Sequence, residues 1–517
     1  MGGARVEAKD FGWHHPGRHS PAVSGLSLVI EPGQKVLLLG PSGAGKSTFL
    51  HALAGVIHDD DGETALGELL VDGVPAEDSH GTVGMMQQDP ESSVILAKVG
   101  DDVAFGPENL QVPRNEIWPR VRASLDAVGL GELLLEHSTS ALSGGQKQRL
   151  GLAGILAIQP CVLLLDEPTA NLDPEGVLGV RDAVIAAQRA IGATMIVIEH
   201  RVSVWAQFMD RVIVLSPGGG ISHDGSPDQV LVDARDELIA AGVWVPDYSP
   251  QASTAHRASD NGAGAGAELL RGRALAVTRE QPTRKMMRAR KKLARSPEPV
   301  SLPLPLHPVT DGIDVSVNAG EHLSIMGVNG AGKSTLALTL AGLQLAANGI
   351  LYATDELRDS AHWDVASWSP EELVSRIGLV FQEPEHQFLT ANVRAELEFG
   401  PRQVAKARKQ AVDEEDLAQR TEALMRRLRL DHVADANPFT LSGGEKRRLS
   451  VATALATAPR ILILDEPTFG QDANTWAELV NLLHELMTQG TAVVSVTHDL
   501  DFVEALGGRT LYLGAHS

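Results

Sequence analysis

The stretch GPSGAGKST at residues 40–48 recurs as GVNGAGKST at residues 327–335, each copy following an apolar-rich run (36–39, 323–326) and preceding an amphipathic helical pattern. Strand, glycine-rich loop and helix in that order form the context of a phosphate-binding loop. Gly40, Gly43, Gly45 and Gly327, Gly330, Gly332 let backbone N–H groups close round phosphates, with Ser42, Thr48, Asn329 and Thr335 completing the two cradles. The helix N-terminus adds partial positive charge, Lys46 or Lys333 reaches the terminal phosphates, and Ser47 or Ser334 ligates magnesium.

Outward from these loops, further pairs recur in the same order: LSGGQ (142–146) with LSGGE (441–445), VLLLDEPT (162–169) with ILILDEPT (461–468), and Glu199-His200 with Thr497-His498. The second copy carries about a dozen extra residues between its first two motifs, which fit best around 353–371. Asp166-Glu167 and Asp465-Glu466 end buried-type strands, where ionised carboxylates are costly unless they meet a cation or act chemically. Asp166 and Asp465 should therefore hold magnesium, and Glu167 and Glu466 would act as general bases that polarise an attacking water. Ser-Gly-Gly alone is an ordinary turn. Its position before a basic helix start (Lys147, Arg149; Lys446, Arg447, Arg448) makes it informative.

A chain of 517 residues is too long for one core, and its 43% hydrophobic and 21% charged residues are those of a folded protein. The net charge of −22 opposes non-specific attraction to nucleic acid. Cys161 is the single cysteine, expected as a small core residue. No apolar run reaches membrane-spanning length and no secretory leader is expected, so work at a membrane would be peripheral. Residues 251–267 read as a flexible linker, giving a first domain at 4–245, a linker at 246–269 and a second domain at 270–517. The second opens with a basic, then proline-rich, insertion at about 279–308, read as a solvated loop; contact with anionic lipid headgroups or a partner protein is the sharper alternative.

On these motifs the sequence resembles the ATP-binding-cassette superfamily over nearly all of both halves. The resemblance implies an α/β fold: two P-loop cassettes arranged head to tail, each a mainly parallel sheet core with an antiparallel β subdomain and a helical subdomain (about 97–140 and 392–440). It implies ATP and Mg2+ as cofactors. Ser442, Gly443 and Gly444 would contact the γ-phosphate held by the Lys46 loop, and Ser143, Gly144 and Gly145 that held by the Lys333 loop. Gln88 and Gln382 match the glutamine that joins the metal site to a partner, His200 and His498 the histidine on the γ-phosphate, and Asp173 and Asp472 the aspartate of the loop between the halves.

Residues 99–109, 381–387, 398–400 and 469–472 further resemble the ATPases of energy-coupling-factor importers, which take up vitamins and metal ions. That implies an energy-coupling subunit on the cytoplasmic face of the membrane, working with a membrane-spanning coupling protein and a substrate-binding membrane protein, with no nucleic-acid partner. Val94, Ile95, Leu96, Phe388 and Leu389 would be the exposed apolar residues receiving the coupling protein, ordinary core being the alternative. Ser93 stands where the second copy has Gln387. The adenine-stacking position is His15 or Trp13 in the first half, with no convincing aromatic in the second. Glu445 in place of Gln146 is expected to set a negative charge near the phosphates. The rival class is a tandem cassette ATPase acting on ribosomes, against which stand the acidic charge and a linker broken by Gly and Pro.

Overall fold

The computed structural model describes residues 2–514 apart from 16–19, 42, 58–63, 88–92, 170–171, 173, 249, 251–265, 294–295, 302, 360–361 and 469. Contacts divide the chain into two compact units, Met1–Ser249 with Gly470–Thr475, and Pro250–Phe469 with Trp476–Ser517.

In the first unit the apolar runs become a six-stranded sheet, ordered Ile221–Gly225, Arg211–Leu215, Lys35–Leu39, Thr194–Ile198, Val162–Asp166 and Val83–Met86. All neighbours are parallel except the first pair. Val162 to Leu165 and Met195 to Val197 are fully buried, as expected of parallel strands covered on both faces. Each such side chain contributes about 1.5–3 kcal/mol of burial. The strands Val23–Ile30, Val6–His14, Thr64–Val71 and Val74–Pro75 form the separate antiparallel sheet. The helices Val99–Asn109 and Arg114–Ala127 pack on the long helix Gly144–Ile158. Cys161, partly buried, packs against the core of the antiparallel sheet.

The second unit repeats the plan with a wholly parallel sheet, ordered Ile377–Val380, Ile461–Asp465, Ala492–Val496, His322–Gly327 and Arg509–Leu513. Its antiparallel sheet has Glu268–Val277 between Thr310–Asn318 and Ala346–Ala353. Val393–Ala407 and Glu414–Arg427 pack with Gly443–Ala456. Each half thus has the expected parallel core, antiparallel sheet and helical part.

The insertion after Val277 departs from a solvated loop. It contains a helix, Arg284–Leu293, whose Thr283 hydroxyl accepts from Met286 N (3.3 Å) as an N-cap. Arg290 of this helix pairs with the buried Asp364 at 2.8 Å, and Trp363 Nε1 donates to Ser296 O at 2.8 Å. The two segments that lengthen the second copy therefore pack on one another. Among the described residues no helix is long and apolar enough to cross a membrane.

Candidate active sites

Each phosphate-loop strand ends on a glycine that no other residue replaces without strain. Gly40 has φ 148° and Gly327 φ 144°, and a Cβ there would lie 2.7 Å from Leu215 O and 2.2 Å from Leu513 O. Gly45 and Gly332, left-handed at φ 84° and 89°, turn the chain into the helices Lys46–Leu53 and Lys333–Leu340. Lys46 Nζ donates to Gly40 O (2.8 Å) and Pro41 O (3.0 Å). Lys333 Nζ donates to Gly327 O (2.9 Å), Val328 O (3.1 Å) and Asn329 Oδ1 (3.4 Å). Burial pulls the Lys46 ammonium below its ordinary range, against the opposing pull of the Glu167 and Asp166 carboxylates. A buried ammonium at a helix N-terminus is poised for a polyanion.

Ser47 hydrogen-bonds Asp166, and Ser334 hydrogen-bonds Asp465, so each half unites its loop serine with its strand-end carboxylate. Asp465 Oδ1 is buried with no hydrogen-bond partner among the described residues. Gln382 lines the same cavity, about 120 Å³, as Ser334 and Asp465. Hydroxyl, amide and carboxylate oxygens round one small space fit a hard divalent cation such as Mg2+.

Glu167 and Glu466 both adopt left-handed backbone, φ 48° and 49°, which is costly for a side chain bearing a Cβ. Their N–H groups donate to Ile198 O and Val496 O at 2.9 Å, fixing each glutamate beside the strand that ends at the histidine. His200 Nε2 lies 3.1 Å from Glu167 Oε1. His498 Nε2 is 3.9 Å from Glu466 Oε1 and 3.2 Å from Asn329 Oδ1. Burial, then the neighbouring Glu167 charge, pushes Asp166 up to about 7; burial, then Asp465, does the same to Glu466. Two adjacent carboxylates in a dry site resist joint ionisation until a cation arrives.

Ser143 and Ser442 cap the helices Gly144–Ile158 and Gly443–Ala456 through capping boxes closed by Gln146 and Glu445. Glu445 is buried and spent on its cap: Oε2 accepts from Ser442 N (2.8 Å) and Oγ (2.7 Å), and Oε1 lies 3.0 Å from His432 Nε2. The carboxylate expected near the phosphates thus accepts a hydrogen bond from the Ser442 hydroxyl. Arg447, expected as part of a basic helix start, is buried instead, donating to Phe381 O (2.8 Å) and Gln382 O (2.7 Å). Burial pulls its guanidinium down to about 10.

Other expectations sort cleanly. Ser42, Gln88 and Asp173 lie outside the described residues. Trp13 is buried against Phe11, so it is no stacking platform; His15 Nε2 stands 3.2 Å from Thr48 Oγ1 beside the phosphate loop. The register pairing Trp13 with Val23 pairs Val277 with Thr310, so Trp13 and Val277 hold the same place in their sheets. Phe388, expected at the surface, is 5% exposed and packs edge-on against Phe439 at 5.9 Å. Ile95 and Leu389 do project, 60% and 70% exposed.

Sequence reasoning missed what holds those two turns. Asp102 Oδ1 accepts from Ile95 N (2.8 Å) and Leu96 N (2.7 Å); Glu396 Oε2 accepts from Leu389 N (3.0 Å) and Thr390 N (2.7 Å). The signal was an acidic residue in the first turn of the following helix in both copies. The Ser93/Gln387 difference is likewise compensated. Gln387 Nε2 donates to Thr453 Oγ1 (2.6 Å) and its Oε1 accepts from Ser450 Oγ (2.6 Å), whereas Ser93 abuts Gly151, so near that a Cβ on this glycine would lie 3.2 Å from Ser93 Cβ.

With this geometry in view, similarity to known proteins is informative. Residues 23–170 and 310–469 each match the family described as ABC transporter. The chain is 33% identical over 523 residues, 98% of its length and 89% of the relative's, to YkoD of Bacillus subtilis, a provisionally named HMP/thiamine import ATP-binding protein. It is 31% identical over 98% of its length, and 84% of the relative's, to an ABC transporter ATP-binding protein, also provisionally named, of Methanosarcina acetivorans. A solved complex of an archaeal ribosomal stalk protein with the ribosome recycling factor aABCE1 contains a chain with TM-score 0.54 and 19% identity, covering 97% of this chain and 87% of that one; at that identity the likeness shows the fold alone. Two cassette matches in one chain, and relatives aligned over nearly all of it, make this protein a tandem ATP-binding-cassette ATPase of the ABC transporter family.

Proposed function

We propose that this chain is the ATP-hydrolysing energy-coupling subunit of a membrane importer of the energy-coupling-factor type, serving uptake of a vitamin, a vitamin precursor or a metal ion. The observation that carries the reading is the pair of exposed apolar turns at Ile95 and Leu389, each clamped by a buried carboxylate and each following in the sequence a glutamine, Gln88 or Gln382, that matches the family's nucleotide-site glutamine. Such turns suit a membrane-spanning coupling protein, which would sit beside a substrate-binding membrane protein and hold the ATPase at the cytoplasmic face. The name given to YkoD, an import ATP-binding protein for HMP/thiamine, supports the direction of transport and the vitamin class.

In this reading residues 4–245 and 270–517 act as two cassettes joined by 246–269, and they form two composite sites. ATP on the Lys46 loop meets Ser442, Gly443 and Gly444; ATP on the Lys333 loop meets Ser143, Gly144 and Gly145. Glu167 and Glu466 take the proton of the water whose oxygen bonds to the γ-phosphorus as the bond to ADP breaks. His200 and His498 donate to the γ-phosphate. Ser47 and Asp166 with Gln88, and Ser334 and Asp465 with Gln382, would hold Mg2+, which when bound would supply positive charge beside the phosphate oxygens.

Fractionation of cells producing the chain tests the class. The chain should sediment with membranes and come away in detergent with integral membrane proteins. Sedimentation with ribosomal particles instead would contradict the proposal.

A further inference from the structure

Among the buried positions at which the two hydrolytic centres differ, one directly precedes the histidine. Where the second cassette has Thr497 before its histidine, the first has Glu199, 6% exposed at the end of Thr194–Ile198. Among the described residues the Thr497 side chain makes one local hydrogen bond, its Oγ1 accepting from Asp499 N at 3.0 Å. Glu199 is a hub. Its Oε1 accepts from Thr169 N (3.0 Å) and from Thr169 Oγ1, and its Oε2 from His200 N (3.1 Å) and Arg201 N (3.3 Å).

These bonds close a circuit. Thr169 lies two residues after Glu167, and His200 directly follows Glu199; Glu167 and His200 meet at 3.1 Å. Glu199 thus joins the loop bearing the water-activating glutamate to the loop bearing the phosphate-contacting histidine. In the second cassette, where threonine stands in its place, the corresponding histidine and glutamate are 3.9 Å apart and His498 leans on Asn329. A carboxylate accepting four hydrogen bonds in a buried site is a costly choice unless the geometry it fixes is used.

We infer that Glu199 is a positioning residue, peculiar to the first cassette, which holds Glu167 and His200 in register and gives the two ATP sites different turnover. Burial pushes its carboxyl up, and the hydrogen bonds from Thr169 oppose that. The inference rests on Glu167 acting as the water-activating group, which the Glu167→Gln variant tests separately.

The experiment compares ATP hydrolysis by the full chain, Glu199→Thr and Glu199→Gln, with melting temperature and amide exchange recorded for each. Misplacing a reacting group by about 1 Å costs up to ~100-fold in rate, so Glu199→Thr should lower the first site's share of kcat about tenfold or more while KM for ATP stays within about twofold. Glutamine, with one acceptor oxygen where the carboxylate has two, should not rescue it. Amide exchange should quicken at Thr169 and His200 and stay unchanged at Thr468 and His498. A reciprocal Thr497→Glu should change kcat without changing KM. An unchanged kcat in Glu199→Thr, or a fall in kcat matched by equal loss of ATP binding and a lower melting temperature, overturns the inference. Unmeasurable hydrolysis by the unmodified chain would instead overturn the wider functional reading.

Discussion

At the residue scale, the chemistry is a matter of carboxylates held where they cannot all be charged. Glu167→Gln or Glu466→Gln should lower turnover at its own site by about 10²- to 10⁴-fold, and single-turnover assays on each variant should show unequal residual rates. Asp166 rises from its ordinary 3.8 to about 7 through burial. A raised carboxyl binds a proton in the folded state that the unfolded chain releases, so its stabilising contribution is full below about 4 and is lost as pH climbs to about 7. Melting of the nucleotide-free protein at pH 5 and pH 8 should show that loss, and Asp166→Asn should flatten it. The same proton competes with a cation, so Mg2+-dependent ATP binding at this site should strengthen as pH rises through about 7. If ATP on the Lys46 loop meets Ser442 as proposed, Glu445→Gln, which releases the Ser442 hydroxyl from its carboxylate, should tighten ATP binding severalfold, measured by titration with a fluorescent ATP analogue. The loop lysines, serines and Asp-Glu pairs were legible because each sits in a local pattern that dictates its own geometry. Glu199 and Glu445 were not: their partners are set by tertiary contacts, and sequence spacing says only that a carboxylate is there, never which way it turns.

At the element scale, strand and helix order could be read because apolar runs covered on both faces suit a parallel sheet. The sequence of the helix Arg284–Leu293 reads as loop because its charge masks good helix formers, and because the anchor of Arg290, Asp364, lies 74 residues further along the chain. Phe388 was misjudged for a related reason: one residue from Leu389, it turns in toward Phe439 while its neighbour turns out. Docking variants therefore belong at Ile95 and Leu389. Ile95→Glu with Leu389→Glu should abolish membrane recruitment while changing folding stability by no more than about 0.5 kcal/mol per site, as for other surface substitutions. Removing the clamps is a different perturbation. Asp102→Ala or Glu396→Ala leaves backbone N–H groups without their acceptor and should cost about 1–3 kcal/mol, read in denaturant unfolding, with recruitment weakened through disorder of the turn.

At the scale of the whole molecule, the duplicated motifs make one half intelligible from the other, and the differences between halves carry the individuality: Glu199 against Thr497, Gln387 against Ser93. In the proposed function both cassettes work as one ATP-driven clamp inside a single chain. Small-angle scattering of the Glu167→Gln, Glu466→Gln double variant, which should bind ATP without consuming it, measures this most directly. The radius of gyration should be smaller with ATP and Mg2+ than without nucleotide, with no such change when Lys46 and Lys333 are also replaced by alanine. A radius that stays the same when ATP is shown to be bound would contradict it.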